Sequence, residues 1–190
     1  MATGRELLLL DANVVIDYAI TDLAVLGLVA RHVGHVYVVR SVLEEVEQVD
    51  EGNCERLGIG LVEPSLEQFV AAGEAERGRL SFTDRLSLIV AHDSGWTCVT
   101  NDRALRKACR ERRVPVWWGL ELMLALVRAG ELAPDAALAV ARAIHEDNTR
   151  HLTAEILLPL GRPYRLPELA VPAGPRALAA LHSAVVARFG

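Results

Sequence analysis

The chain begins with an uninterrupted apolar run that lacks the alternation of a half-exposed strand. Residues 7–10 are four leucines, bounded by Glu6 and Asp11. A strand with one solvated face would alternate apolar and polar side chains, so this run predicts a strand buried on both faces. Such a strand is usually central in its sheet. Asp11 then stands at the carboxyl end of a central strand.

Beyond Asp11, apolar runs of strand length alternate with segments of helical periodicity. Apolar and β-branched runs predict strands at residues 36–39, 59–62, 96–100 and 114–118. Cap and stop residues predict helices at residues 22–33, 42–49, 65–78, 85–94 and 103–113. Strands separated throughout by helices indicate a parallel sheet with right-handed crossovers. The predicted fold class is therefore α/β, with three layers in the order α/β/α.

Local motifs set several of these boundaries. Ser41 followed by Glu44 has the spacing of a capping box and predicts the start of the helix at 42–49. Ser65 is the predicted cap of the helix at 65–78, and Asp102 that of the helix at 103–113. Residues 52–60 are predicted to be largely a loop.

After Gly119 the pattern is helical only. It predicts helices at residues 120–128, 134–144, 152–158 and 176–189, the last preceded by a proline-rich connection. We therefore expect an α/β domain at residues 1–130 and a helical C-terminal extension at residues 131–190 that packs on it. The apolar helices of this region offer a surface for a homodimer or for another protein.

Length and composition exclude several classes of protein. A chain of 190 residues with 52% hydrophobic residues supports one full core and is too apolar to be disordered. No apolar run approaches the roughly 18–20 residues that cross a bilayer, so we expect no membrane partner and a cytoplasmic location. The three cysteines form no Cys-x-x-Cys pair, which argues against a zinc ribbon or a disulfide framework. The net charge of −5 argues against a surface that is basic all over.

Four carboxylates stand at the ends of predicted elements, where a parallel sheet can bring them together: Asp11, Glu45, Asp84 and Asp102. Open α/β sheets bind ligands at the carboxyl edge of their strands. Two carboxylates about 4 Å apart repel by roughly 4 kcal/mol at an effective dielectric of about 20, so such a cluster requires a cation. Oxygen ligands favour Mg²⁺ or Mn²⁺ over zinc, and such an ion suits phosphate chemistry. Asn13 is placed to orient Asp11 or to bind a metal-bound water.

The sequence around these carboxylates falls into four blocks: Leu-Asp11-Ala-Asn13-Val-Val-Ile-Asp, Ser41-Val-Leu-Glu-Glu45-Val, Leu-Ser-Phe-Thr83-Asp84-Arg, and Val-Thr100-Asn101-Asp102-Arg. Over residues 7–130, these blocks together resemble the PIN-domain superfamily, and most of all the ribonuclease toxins of toxin–antitoxin modules. The resemblance implies a PIN-like fold and an endoribonuclease, a hydrolase of RNA phosphodiester bonds that depends on Mg²⁺ or Mn²⁺. It also implies an antitoxin protein as partner.

The same resemblance implies roles for individual residues. Asp11, Glu45, Asp84 and Asp102 are the expected metal ligands and catalytic residues. The family's glutamate usually precedes Leu, Ile or Val, which fits Glu45 before Val46 and does not fit Glu44. The assignment between these two glutamates nevertheless stays open at this point.

Polar and basic neighbours of the carboxylates are the candidate substrate-binding residues: Asn13, Thr100, Asn101, Arg85 and Arg103. Positions at a strand end and in a turn account for Thr100 and Asn101 nearly as well as substrate binding does. Arg85 either binds phosphate or pairs with an acid. Basic residues at i, i+3, i+4 and i+7 share one predicted helical face, which is either a phosphate-binding strip or a solvated face. They are Arg103, Arg106, Lys107 and Arg110.

Other interpretations compete with this one. Asp84 and Asp102 are also ordinary helix-capping residues, and solvated or capping roles are expected for Asp17, Asp93, Glu44 and Glu47. A phosphohydrolase of the haloacid-dehalogenase type also begins with an aspartate after an apolar strand, but it requires a second aspartate where this chain has Asn13. A non-catalytic module that binds RNA or protein is the remaining alternative.

Overall fold

The structure is a computed structural model and describes residues 5–75 and 78–147. Its strands are β1 (Glu6–Leu10), β2 (Gly34–Val39), β3 (Ile59–Val62), β4 (Thr97–Val99) and β5 (Val116–Trp117). Its helices are α1 (Ala12–Thr21), α2 (Ala24–His32), α3 (Arg40–Leu43), α4 (Glu51–Leu57), α5 (Leu66–Glu74), α6 (Phe82–Ser94), α7 (Arg103–Glu111), α8 (Gly119–Ala129) and α9 (Pro134–Asp147).

The strands form one five-stranded parallel sheet in the order β3-β2-β1-β4-β5. β1 lies in the middle, with Leu8 beside Val36 of β2 on one side and beside Thr97 of β4 on the other. The side chains of Leu8, Leu9 and Leu10 are all fully buried. Successive side chains of a strand point to opposite faces, so both faces of β1 are covered. The predicted central strand is confirmed.

Contacts divide most of the helices into two groups. α2 packs against α4 and α8, and α9 packs against α1 and α8, whereas α6 packs against α5 and α7. From β1, the strand order continues to β2 and β3 on one side and to β4 and β5 on the other. Right-handed crossovers toward the two sides place their helices on opposite faces of the sheet. The predicted α/β class, with a parallel sheet between layers of helices, is confirmed.

Two predictions about residues 41–60 are wrong. The helix after β2 begins at Arg40, one residue before Ser41, so the Ser41 hydroxyl cannot act as its cap and has no hydrogen-bond partner within the described residues. This helix ends after a single turn at Leu43, and Glu44 lies at its C-cap. The predicted loop at 52–60 contains α4, whose N-cap is Asp50: its side chain accepts a hydrogen bond from the Asn53 backbone N–H at 2.7 Å.

The other predicted caps agree with the structure. Ser65 and Gln68 form a capping box at the start of α5. Asp102 caps α7, as the sequence predicts. α6 begins at Phe82 rather than Arg85, because Ser81 and Asp84 form a second capping box there. This places Asp84 inside the first turn of a helix.

The first helix of the predicted extension is α9, which presents Ala137, Ala141 and Ile144 as buried residues at i, i+4 and i+7. The predicted helices at 152–158 and 176–189 lie outside the described residues. Among the described helices, none alone has the length and hydropathy of a membrane span. α1 and α2 meet that test only when joined across a bend of 118°.

Candidate active site

The carboxyl ends of β1 and β4 lie side by side at the point where the strand order reverses. β1 is followed by Asp11, and β4 is followed by Thr100, Asn101 and Asp102. The backbone N–H of Asp11 donates to the Val99 carbonyl at 3.0 Å, which fixes the two strand ends together. In open α/β sheets this crevice is the usual ligand site.

Asp11 is the most deeply buried of the four predicted acids, with 3% of its surface exposed. Its carboxylate accepts hydrogen bonds from the Ala12 backbone N–H at 2.9 Å and from the Thr100 hydroxyl at 2.8 Å. Burial raises the pKa of Asp11 from 3.8 to about 7; the charges of Asp84 and Asp102 add to this effect and the two hydrogen bonds oppose it. The side-chain amide of Asn13 lies 3.4 Å from the same carboxylate.

Thr100 links two of the acids. Its fully buried hydroxyl donates to Asp11 and accepts a hydrogen bond from the Asp102 backbone N–H at 3.0 Å. Asp102 itself caps α7, with one carboxylate oxygen 2.7 Å from the Leu105 backbone nitrogen. Thr100 therefore orients the Asp11 side chain and also fixes the backbone of Asp102, where α7 begins. The predicted substrate-binding role of Thr100 stays a prediction, and the structure shows a positioning role.

Asp84 occupies the third position of α6. Its Oδ2 accepts from the Ser81 backbone N–H at 2.7 Å, and its own N–H donates to the Ser81 hydroxyl at 3.0 Å. Within the described residues, Oδ1 of Asp84 has no hydrogen-bond partner. Capping thus accounts for one oxygen, while the charge of Asp84 still acts on Asp11. Ser81, three residues before Asp84, is a capping-box signal that the sequence contains and that our interpretation of this block did not use.

Glu45, rather than Glu44, contacts the elements of the site. The carboxylate of Glu45 accepts a hydrogen bond from the Thr83 hydroxyl at 3.1 Å, next to Asp84 in the chain. Thr83 in turn contacts the Ser81 hydroxyl at 2.9 Å. Glu44 is exposed at the end of α3. Sequence reasoning gave Thr83 no role, although it is the residue that holds Glu45 at the start of α6.

The donor set is chemically suited to a hard divalent cation. Asp11, Asp84 and Asp102 supply only oxygen, and the charges of Asp84 and Asp102 add to the effect of burial in raising the pKa of Asp11. Within residues 5–75 and 78–147, however, no three His, Cys, Asp or Glu side chains are close enough together to hold a metal ion jointly. Mg²⁺ commonly binds one or two carboxylates and keeps several waters, so the residues fit such an ion without a third direct ligand.

The Asn101 side chain is buried and hydrogen-bonded within the protein, which differs from its predicted substrate-binding role. It is 2% exposed, donates to the Asp17 carboxylate at 2.8 Å and accepts from the Gly119 backbone N–H at 2.9 Å. Tyr18 completes this buried network by donating to the Gly119 carbonyl at 2.8 Å. The expectation that Asp17 is solvated is wrong, because its side chain is buried among these groups.

Arg85 is also placed differently from its predicted role in phosphate binding. Its side chain is buried, and its guanidinium donates to the Ala72 and Leu80 carbonyls, both at 2.7 Å. These two bonds tie the end of α5 and the following loop to α6. The Arg85 guanidinium is therefore a structural cross-link rather than a phosphate ligand.

Substituting Arg85 by methionine distinguishes these two roles. We expect the free energy of unfolding to fall by about 2 kcal/mol, because two buried carbonyls lose a charged donor. If the chain cleaves RNA, as the resemblance in sequence implies, its KM for RNA should stay unchanged. Urea unfolding and steady-state cleavage measure the two effects, with Arg79→Met as the matched control, since Arg79 is exposed on the adjoining loop. A higher KM with unchanged stability would contradict the structural role.

The predicted basic face of α7 is divided by the fold. Arg103, Lys107 and Arg110 are exposed, whereas Arg106 is buried. The Arg106 guanidinium stacks on the Trp118 ring at 3.3 Å and donates to the Asn101 carbonyl at 2.7 Å. The prediction that all four share a solvated or phosphate-binding face is thus wrong for Arg106, which holds the turn that carries Asp102.

Comparison with known proteins gives only distant structural similarity. No protein-family model and no curated protein matches the sequence significantly. Among solved structures, the chain resembles a PilT N-terminus domain protein from the hyperthermophilic archaeon Sulfolobus solfataricus, with 12% identity and a TM-score of 0.48. The match covers 67% of this chain and 96% of the archaeal chain. At this level of similarity, neither family membership nor function transfers to this chain.

Proposed function

We propose that this protein is a metal-dependent endoribonuclease of the PIN type, which hydrolyses RNA phosphodiester bonds. The observation that carries the proposal is the environment of Asp11. It is buried at the switch point of a parallel sheet and is subject to the charges of Asp84 and Asp102. The two capping carboxylates are therefore close enough to Asp11 for their charges to act on it, and a bound cation would relieve this repulsion.

Asp11, together with Asp84 or Asp102, would hold a Mg²⁺ or Mn²⁺ ion. A bound ion of this kind lowers the pKa of a coordinated water and neutralises charge that develops on a phosphate group. The chain's own residues prepare the site: Thr100 orients Asp11, and Ser81 orients Asp84. Glu45 is exposed and held by Thr83, so it is accessible to water and substrate in a way that Asp11 is not.

We further propose that the activity belongs to a toxin, controlled in the cytoplasm by an antitoxin protein, and that the chain forms a homodimer. Support comes from the resemblance of the four sequence blocks. Exposed apolar side chains also lie on the helix that carries Asp84 and on the helix packed against it: Phe82 on α6, and Leu66 and Val70 on α5. A protein partner that covers Phe82 would bind two residues from Asp84 in the chain.

Cleavage of labelled RNA by the purified full chain tests the nuclease proposal. We expect cleavage with Mn²⁺ or Mg²⁺, none with EDTA, and a loss of about a hundredfold or more in Asp84→Asn, equivalent to roughly 3 kcal/mol of barrier. The side-chain oxygen of asparagine can still accept the hydrogen bond from the Ser81 backbone N–H, so the start of α6 should stay intact.

Asp93→Asn is the matched control, because Asp93 is an exposed aspartate at the other end of the same helix. It should cleave like the wild type. Cleavage that persists in EDTA, or that is equal in Asp84→Asn and the wild type, would contradict the proposal. The phosphohydrolase and binding-module interpretations would then take precedence.

A further inference from the structure

The exposed face of α7 carries a row of positive charge that starts beside the acidic site. Arg103, Lys107 and Arg110 lie at i, i+4 and i+7 and are all exposed. At a rise of about 1.5 Å per residue, these positions span roughly 10 Å along one face of the helix. Arg103 directly follows Asp102 in the chain. We call these three residues the α7 strip.

The charge of the α7 strip is poorly compensated by nearby acids. Solvated helix faces are usually stabilised by cations and acids that alternate at i, i+4 spacing. Here the structure shows one such pair, Lys107 with Glu111 at 3.6 Å, and both side chains are largely exposed. The pKa of the neighbouring Arg106 is lowered to about 10, chiefly by burial, and repulsion from Arg110 and Arg103 contributes to this shift. This local excess of positive charge occurs in a chain of net charge −5.

The position of the strip is fixed relative to the site. Arg106 points inward from the same helix, stacks on Trp118 and donates to the Asn101 carbonyl. Asp102 caps the first turn of α7, and the Asp102 N–H is bound to Thr100. Because these contacts anchor the first turns of α7, Arg103 and Lys107 stay at a defined distance from the carboxylates.

We propose that the α7 strip binds the sugar–phosphate backbone of an RNA strand that enters the acidic site. This inference rests on the proposed function and assigns a surface to its substrate. Guanidinium groups bind phosphate oxygens in bidentate geometry, and binding releases counterions from the strand. An anionic strand also needs a positive track here, because the carboxylates next to Arg103 repel it. The strip favours RNA backbone over an acidic protein because it is continuous with the site where a phosphodiester would react.

The test measures binding of a short fluorescein-labelled single-stranded RNA to the full chain by anisotropy. All variants carry Asp84→Asn to slow cleavage, and salt is varied from about 50 to 200 mM. For Arg103→Gln with Arg110→Gln, we expect weaker binding and a plot of log affinity against log salt that is shallower by about 1.4, or roughly 0.7 per lost phosphate contact. Arg103→Lys with Arg110→Lys should restore the slope, because it keeps the charge.

Arg128→Gln with Arg142→Gln is the matched control, since both arginines are exposed on α8 and α9. It removes the same total charge and should leave the slope unchanged. In the cleavage-competent protein, the α7 double glutamine variant should raise the KM and leave kcat unaltered. The inference would be overturned if log affinity fell with log salt as steeply in that variant as in the protein with Asp84→Asn alone. An equal change in the control would overturn it as well.

The two levels of the proposal fail separately. If the wild-type chain cleaves RNA but the α7 substitutions change neither binding nor cleavage, only the role of the strip is wrong. If the wild-type chain neither binds nor cleaves RNA with Mn²⁺ or Mg²⁺, the proposed function and the strip are both wrong.

Discussion

Replacing Asp11 by asparagine should stabilise the folded protein above neutral pH while it slows the proposed RNA cleavage by about a thousandfold or more. Burial and neighbouring charge raise the pKa of Asp11 from 3.8 to about 7. Between these two values the folded state keeps a proton that the unfolded chain releases, so raising the pH through this window destabilises the fold. Above pH 7 the cost is fully present and on the order of 4 kcal/mol; below about pH 4 it is absent.

Urea unfolding of wild type and Asp11→Asn at pH 5 and pH 8 measures this effect. The variant should be more stable than the wild type by a few kcal/mol at pH 8, and by less at pH 5. Asp93→Asn is the control with the opposite sign: a hydrogen bond from His92 lowers the pKa of this exposed carboxyl, so its removal should not stabilise. A wild type that gains stability over Asp11→Asn as pH rises would contradict the assignment.

A divalent cation should reduce the difference between the two proteins. An ion that binds only the folded state stabilises it by about 2.7 kcal/mol at a hundred times its Kd. Mg²⁺ or Mn²⁺ should therefore raise the stability of the wild type at pH 8 and leave that of Asp11→Asn nearly unchanged. In cleavage, the variant loses the buried ligand and should be slower by about a thousandfold or more, roughly 4 kcal/mol of barrier. Equal stabilisation of both proteins by the ion would argue against Asp11 as a ligand.

The sequence is most informative where one local pattern decides the structure. The apolar run at residues 7–10 predicts the central strand correctly, because no exposed strand tolerates it. Ser65 predicts the start of α5 because the preceding Pro64 and the following Gln68 leave few alternatives. Ser41 has the same spacing to Glu44 as Ser65 has to Gln68, but Ser41 does not cap a helix. The backbone becomes helical directly after β2, where Arg40 is held by Glu51 and Glu63, residues distant in sequence.

The four predicted acids lie at element ends in the structure. Their positions could be predicted because strand ends and helix caps have recognisable sequence signals. Roles of the basic and amide groups are less readable. Arg85 and Arg106 resemble surface cations in composition, yet each is turned inward by backbone carbonyls that only the folded chain presents. Asp17 is the one charged residue of the apolar helix α1. Its burial depends on Asn101, which is remote in sequence. Periodicity alone does not distinguish a buried paired polar group from a solvated one.

Replacing Asn101 by alanine should have a large effect on the stability of the fold rather than on substrate binding. Asn101→Ala removes the donor to the Asp17 carboxylate and the acceptor of the Gly119 N–H, both in a buried region. A lost buried hydrogen bond to the Asp17 side chain and an unsatisfied backbone N–H together cost about 3 kcal/mol. We expect a decrease of that size in the free energy of unfolding, measured in urea at pH 7.

Asn13→Ala is the matched control, because Asn13 is partly exposed and its amide is 3.4 Å from Asp11, too long for a strong hydrogen bond. It should cost less than about 1 kcal/mol. Cleavage separates the two interpretations of Asn101. If Asn101 supports the turn between Thr100 and Asp102, kcat should fall with stability while the KM changes little, since the displaced turn misplaces Asp11 and Asp102 alike. A variant with normal stability and a raised KM would instead return Asn101 to the substrate-binding role that the sequence alone suggests.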